Sequence, residues 1–133
     1  VMKETHYQDV LMLLQHEEPS IIKLGIQMSN ILKLKDATYQ LVGLLHHINE
    51  DLQVNAFVAL SAIDAQNSFQ VLQNFCNKAS VSIIHKIMLL SDTQYVKLPF
   101  LIKHTLKNSI FVKSNNAQIE NNTSDMGYQF NFN

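Results

Sequence analysis

The stretch LLHHINEDLQVNAFVALSAI, residues 44–63, decides the fold. Asn49 stands before Glu50 and Asp51. Asn is a favoured helix N-cap, and carboxylates beside it suit the positive end of a helix. The residues beyond predict a helix over about 50–63, with Val54, Phe57, Val58, Leu60 and Ile63 facing inward at spacings of three and four. The same punctuation recurs on both sides. Upstream, Pro19 suits the first turn of a helix, where its missing N–H costs nothing. That helix carries Ile21, Ile22, Leu24, Ile26, Met28 and Ile31. Its apolar band is wide, which predicts packing on more than one side. Thr5 and Gln8 form a capping-box pattern ahead of a helix over about 6–16, with Val10, Leu13 and Leu14 inward. Asp36 is the expected cap of a helix over about 37–47. Downstream, helices are expected over about 68–77, over 81–91 with Ser80 as cap, and from near Leu98 to Asn108 with Pro99 in the first turn.

The chain therefore reads as all-α, with short helices joined by short loops. Only 3 Gly and 2 Pro are present, too few turn formers for a β-sandwich or barrel. The helical pairs also resemble one another. Leu13-Leu14, Glu18-Pro19, Ile22, Ile26 and Met28 recur one period later as Leu44-Leu45, Glu50-Asp51, Val54, Val58 and Leu60. A weaker third copy places Ile83, Ile87 and Leu89 a similar distance further on. Two helices per unit and a period near 30 predict an α-solenoid of about three hairpins. Such hairpins cannot bury their apolar faces alone and so stack on their neighbours.

Residues 44–63 resemble a HEAT repeat of the short phycobilisome-lyase type. In that family the second helix opens on a D-x-x-V-R-x-x-A-like signature and continues to an Ala-Leu pair. Asp51, Val54, Ala56, Ala59 and Leu60 fit it, with Asn55 in place of the usual Arg. In the first unit Pro19, Ile22, Leu24, Gln27 and Met28 occupy the matching places, with Lys23 at the Arg position. In the third unit Ile83, Ile84, His85, Met88 and Leu89 do so. The resemblance covers roughly residues 6–107 and is clear only in the middle unit. It implies a superhelical stack of antiparallel helix pairs used as a protein-binding surface. An enzyme branch of the same family, deoxyhypusine hydroxylase, binds iron through His-Glu dipeptides on the second helices. The corresponding places here read Leu24-Gly25, Ala56-Phe57 and His85-Lys86, so that iron site is not expected. His16-Glu17 lies at the end of a first helix instead.

Composition narrows the function further. A chain of 133 residues, 47% hydrophobic and 16% charged, is expected to form one globular domain. All 10 basic residues are Lys, and the formal net charge is −1. Without Arg, bidentate recognition of phosphate or guanine is lost, which argues against a dedicated nucleic-acid binder. The single Cys excludes a disulfide framework and a Cys-based zinc site. No apolar run approaches the ~18 residues of a membrane span. No signal peptide opens the chain, so a cytoplasmic setting is expected. The start at Val1 suggests a piece of a longer protein.

Charge is unevenly placed. Residues 1–92 hold six Lys and nine carboxylates, net −3. Residues 93–113 hold Lys97, Lys103, Lys107 and Lys113 and no acid. There Leu98, Ile102, Leu106 and Ile110 form a stripe of spacing four beside the lysines. The simple expectation is that the stripe buries against the preceding helix and the lysines face water. A basic amphipathic helix that lies on an anionic membrane is the alternative. Residues 1–113 then form the repeat domain, and 114–133 an Asn-rich tail. Its closing YQFNFN alternates Tyr128, Phe130 and Phe132 with polar residues, as a short extended strand over the last hairpin would.

Few constellations suggest catalysis. His46, His47 and Glu50 have metal-like spacing, but a cap at Asn49 breaks the helix between them. Cys76 sits on an apolar face beside Phe75 and reads as a buried structural thiol. Gly25 and Gly43 fall inside helices, where Gly costs about 1 kcal/mol against Ala, and close helix approach is the expected reason for both. The second helices of the expected stack offer Lys23, Gln27 and Asn30, then Asn55, then His85 and Lys86, along one concave face. The expectation is therefore a non-catalytic scaffold without cofactor or small-molecule ligand, binding another protein or another domain of its own chain. Lys97, Lys103 and Lys107 form a second candidate surface. A nucleic-acid-binding protein akin to the family's DNA-repair glycosylases is the alternative, and it requires a cationic groove.

Overall fold

A computed structural model of the chain describes the backbone of residues 4–94 and 96–130, and side chains within 7–94 and 96–116. The described chain is helical throughout: α1 (Glu4–Leu13), α2 (Pro19–Leu32), a 3-10 turn (Lys35–Ala37), α3 (Thr38–Leu44), α4 (Glu50–Ile63), α5 (Ala65–Lys78), α6 (Val81–Thr93) and α7 (Phe100–Phe130).

Caps set the starts of the even-numbered helices. Glu18, Asn49 and Ser80 precede α2, α4 and α6 in extended backbone, and the step from the first to the second equals the step from the second to the third. The Asn49 side chain accepts from the Leu52 N–H at 3.2 Å and Ser80 Oγ from the Ile83 N–H at 3.2 Å, satisfying donors that the helix leaves free. Glu18 makes no side-chain cap bond, and Pro19, which has no N–H, opens α2. The preceding turns match as well. His16 Nδ1 accepts from the Glu18 N–H at 3.0 Å, and His47 Nδ1 from the Asn49 N–H at 2.9 Å, so the same bond recurs at the same step.

Some boundaries differ from expectation. The chain is already helical at Glu4, so Thr5 is not the cap of α1, and α1 ends at Leu13. α3 stops at Leu44 because the N–H groups of Leu45, His46 and His47 bond carbonyls three residues back, tightening the chain out of the α-helix. α5 begins at Ala65, since Asp64 is the single residue between it and α4. The largest difference is α7, which passes both Asn108 and the expected boundary at 113/114 and stays helical to Phe130. No Pro and only Gly127 interrupt residues 100–130, and Asn is a weak helix former rather than a breaker. Tyr128 and Phe130 are thus helical and not extended. Phe132, and any capping of the last hairpin by side chains of 117–133, lie outside the described residues.

The even helices form a row, α2 on α4 and α4 on α6. α1 packs on α2, α3 on α4, α5 on α4 and α7, and α7 on α5 and α6. Surrounded in this way, α4 buries every residue from Val54 to Ser61. Phe57 meets Phe75 of α5 with ring centroids 5.7 Å apart. Each helix of the row also buries a serine. Ser29, Ser61 and Ser91 donate to the carbonyls of Gly25, Phe57 and Ile87, four residues back, at 2.8, 2.9 and 2.8 Å. Each hydroxyl is satisfied inside its own helix, so a small polar group sits in the core without a partner from another helix.

Gly25 carries the close approach of α1 and α2. A Cβ there would lie 2.9 Å from Leu13 Cβ and 3.1 Å from the Leu14 backbone N. Gly43 does not fit the same expectation: it is exposed, and nothing lies within 4 Å of its would-be Cβ.

α7 closes the end of the molecule. Ile102 and Leu106 are buried and Leu98 and Ile110 half-buried, so the expected stripe faces inward, while Lys103 and Lys107 are exposed. Polar bonds pin the same face. Ser109 Oγ donates to the Cys76 carbonyl at 2.9 Å, and the Lys113 ammonium donates to the carbonyls of Cys76 and Ala79. These are orphan carbonyls at the negative end of α5, where a cation is favoured.

Candidate functional site

The open face of the α2–α4–α6 row holds most of the expected binding residues. Lys23 on α2 pairs with Asp51 on α4 at 3.0 Å, and Lys86 on α6 pairs with Glu50. The acids that open α4 thus receive one lysine from each neighbouring helix. These side chains are 40–60% exposed, so each pair contributes at most about 1 kcal/mol. Both lysines are engaged by carboxylates, which makes the face a charge-paired surface rather than a cationic groove. Gln27 and Asn30 are half-buried beside them, and Asn30 Oδ1 accepts from Lys33 Nζ at 2.9 Å. His85 is exposed.

Asn55, a candidate for the concave face, is turned into α4 instead. It is 3% exposed, and its amide donates to the Asp51 carbonyl at 2.7 Å and to Asp51 Oδ1 at 3.3 Å. Its polarity is satisfied within α4, so it offers nothing to a ligand. Shallow hollows flank the row. One of about 360 Å3 lies between α4 and α6 beside Glu50, Lys86 and Leu89. Another of about 470 Å3 lies at the opposite end, beside Asn30, Ser61, Ala62, Gln94 and Lys97. Lys97 therefore stands apart from Lys103 and Lys107, ahead of α7 and near the C-terminal ends of α2 and α4.

A larger opening lies on the other side of α4. Between the end of α3, α5 and the start of α6 lies a cleft of about 700 Å3, within the usual range of ligand pockets. Its apolar lining is Val42, Leu45, Val71, Phe75 and Ile83. Its polar lining includes His46, Gln53, Asn74 and Lys78, with Lys78 in the last turn of α5. Sequence reasoning missed this cleft. The signal was the His-x-cap pattern at His47 and Asn49, which fixes how α3 must end.

Two candidate reactive groups are held in structural roles. His47 is tied by its Nδ1 to Asn49, and its carbonyl accepts from Gln53 Nε2 at 2.7 Å, while Glu50 is engaged by Lys86. The Asn49 cap falls between the two histidines and Glu50, and no single helix carries all three. Among the described residues no three His, Cys, Asp or Glu side chains gather to hold a metal ion. Cys76 is fully buried, and desolvation pushes its thiol up to about 11, with nearby Lys113 acting in the opposite direction. A thiol in that state is a poor nucleophile at neutral pH. The chain matches no family model, no curated protein and no solved structure.

Proposed function

We propose that this chain is a non-catalytic interaction module, a HEAT-like stack of helix pairs that holds a segment of another protein, or of another domain of a longer chain, in the α3–α5 cleft. The cleft carries this reading: an apolar floor with a polar margin suits a peptide that buries one or two apolar side chains. Lys78 and His46 at the margin favour an acidic residue next to the apolar anchor. The common phase of α2, α4 and α6 supports the repeat reading. The charge-paired row supports a protein partner over a nucleic acid.

Selection of peptides from a display library, followed by amide-shift mapping, tests the proposal. Enriched peptides should carry an apolar anchor and shift the amides of Val42, Val71 and Phe75. Val71→Lys should abolish binding without loss of helicity. Selected peptides that map only to other surfaces, or bind Val71→Lys equally well, would overturn the assignment.

A further inference from the structure

We propose that the outer face of α7 lies on an anionic lipid surface. The inward stripe of this helix, which the sequence marked as its apolar side, is already covered by α5 and α6. Opposite it runs a second line that the stripe does not include. Phe100, His104, Lys107 and Phe111 follow one another at spacings of four, three and four, so they share a face. Phe100 is 79% exposed and Phe111 63%. Leu101 and Val112 are exposed along one flank of this line and Lys103 along the other. Phe100 and His104 stack with ring centroids 6.2 Å apart, which holds the first aromatic in place.

Charge and shape select the occupant. Residues 93–113 contain no carboxylate, while the exposed Lys107 lies within this line and the exposed Lys103 beside it. A second copy of this face would set lysine against lysine. A hollow of about 390 Å3 opens between α7 and α5 beside His104 and Val112, but the rest of its lining is polar, and Phe100 and Phe111 stand outside it on the convex side of the helix, where no walls enclose a peptide. A lipid surface needs none. Phe100 and Phe111 are about 16 Å apart along the helix, so both reach the same depth when α7 lies in the membrane plane. The lysine stems then extend toward anionic headgroups. The mode is surface association, since among the described residues no helix is long and apolar enough to cross a membrane.

Flotation of the whole chain with two vesicle preparations tests the proposal at low and high salt, one of phosphatidylcholine alone and one in which phosphatidylserine replaces a third of the lipid. Binding should appear with phosphatidylserine and weaken in high salt. Lys103→Gln with Lys107→Gln should weaken it roughly thirty-fold, at about 1 kcal/mol per lysine. Phe100→Ser with Phe111→Ser should weaken it by more than about tenfold. The charge-matched control Lys33→Gln with Lys35→Gln should leave binding unchanged. In a separate variant, Phe111→Trp, the indole fluorescence should shift to the blue only on phosphatidylserine vesicles. Because the chain has no native Trp, that signal reports this one position. Failure of the unmodified chain to float at low salt, equal loss in the control, insensitivity to the Phe substitutions, an unshifted indole or self-association through this face would each overturn the proposal.

Discussion

α4 and α7 both carry large apolar residues around much of their circumference, yet they end in opposite states. From Val54 to Ser61 every residue of α4 is buried, because α2, α3, α5 and α6 surround it. α7 packs chiefly on α5 and α6, buries Ile102 and Leu106, and leaves Phe100, Leu101, Phe111 and Val112 in solvent. Burial here depends on how many neighbours a helix meets and not on its composition alone. A terminal helix that is apolar on both sides has an uncovered surface left over.

The most severe test of that contrast is a pair of truncations. Phe57→Ala in α4 should lower the unfolding free energy by about 3 to 5 kcal/mol in urea titration, and Phe111→Ala on α7 should change it by less than about 0.5 kcal/mol. Equal losses would mean that the outer face of α7 is covered after all.

The inner face of α7 is probed by Cys76, which lies beneath Ser109 and Lys113. Its thiol rises from 9.0 to about 11 on folding, so between these values the folded chain retains a proton that the unfolded chain releases. The resulting stability is whole below about pH 9 and is lost as pH rises through about 11, an effect of about 2 to 3 kcal/mol. Lys113 acts oppositely, because desolvation lowers its pKa and favours the fold as pH rises. Cys76→Ala should therefore lose less stability between pH 8 and pH 11 than the unaltered chain. The native thiol should also resist alkylation until the chain unfolds.

Glycines sharpen the distinction between covered and open helix surface. Gly25→Ala should cost about 1 to 2 kcal/mol, since the methyl group meets the Leu13 side chain and the backbone N of Leu14. Gly43→Ala meets nothing and should stabilise by about 0.5 to 1 kcal/mol through helix propensity alone. Thermal melts of the two variants should move in opposite directions. The smallest effect belongs to the edge of α4: Lys23→Ala or Lys86→Ala should each cost only a few tenths of a kcal/mol, reduced further by salt.

Local chemistry made much of the architecture legible. Asn49, Ser80 and Pro19 announced the starts of α4, α6 and α2. What escaped depended on neighbours. Asn55 reads as a surface residue until its amide is seen to turn back on Asp51. Ser29, Ser61 and Ser91 look neutral in sequence, because only the structure shows each hydroxyl closing on its own helix. The α3–α5 cleft is lined by residues drawn from α3 through α6, a gathering that the spacing of apolar residues within one helix does not specify. On α7 the regular stripe of Leu98, Ile102, Leu106 and Ile110 marks the inward face, and Phe100 and Phe111 fall outside its spacing on the far side.

The equal steps between Glu18, Asn49 and Ser80 also fix the unit in which this chain can change length. Deleting one residue within a helix rotates everything after it by about 100°, swinging its core residues toward water. Removing a whole segment from one cap to the next leaves each remaining cap in phase with the helix it opens, so a change of length by that step disturbs the local signals least.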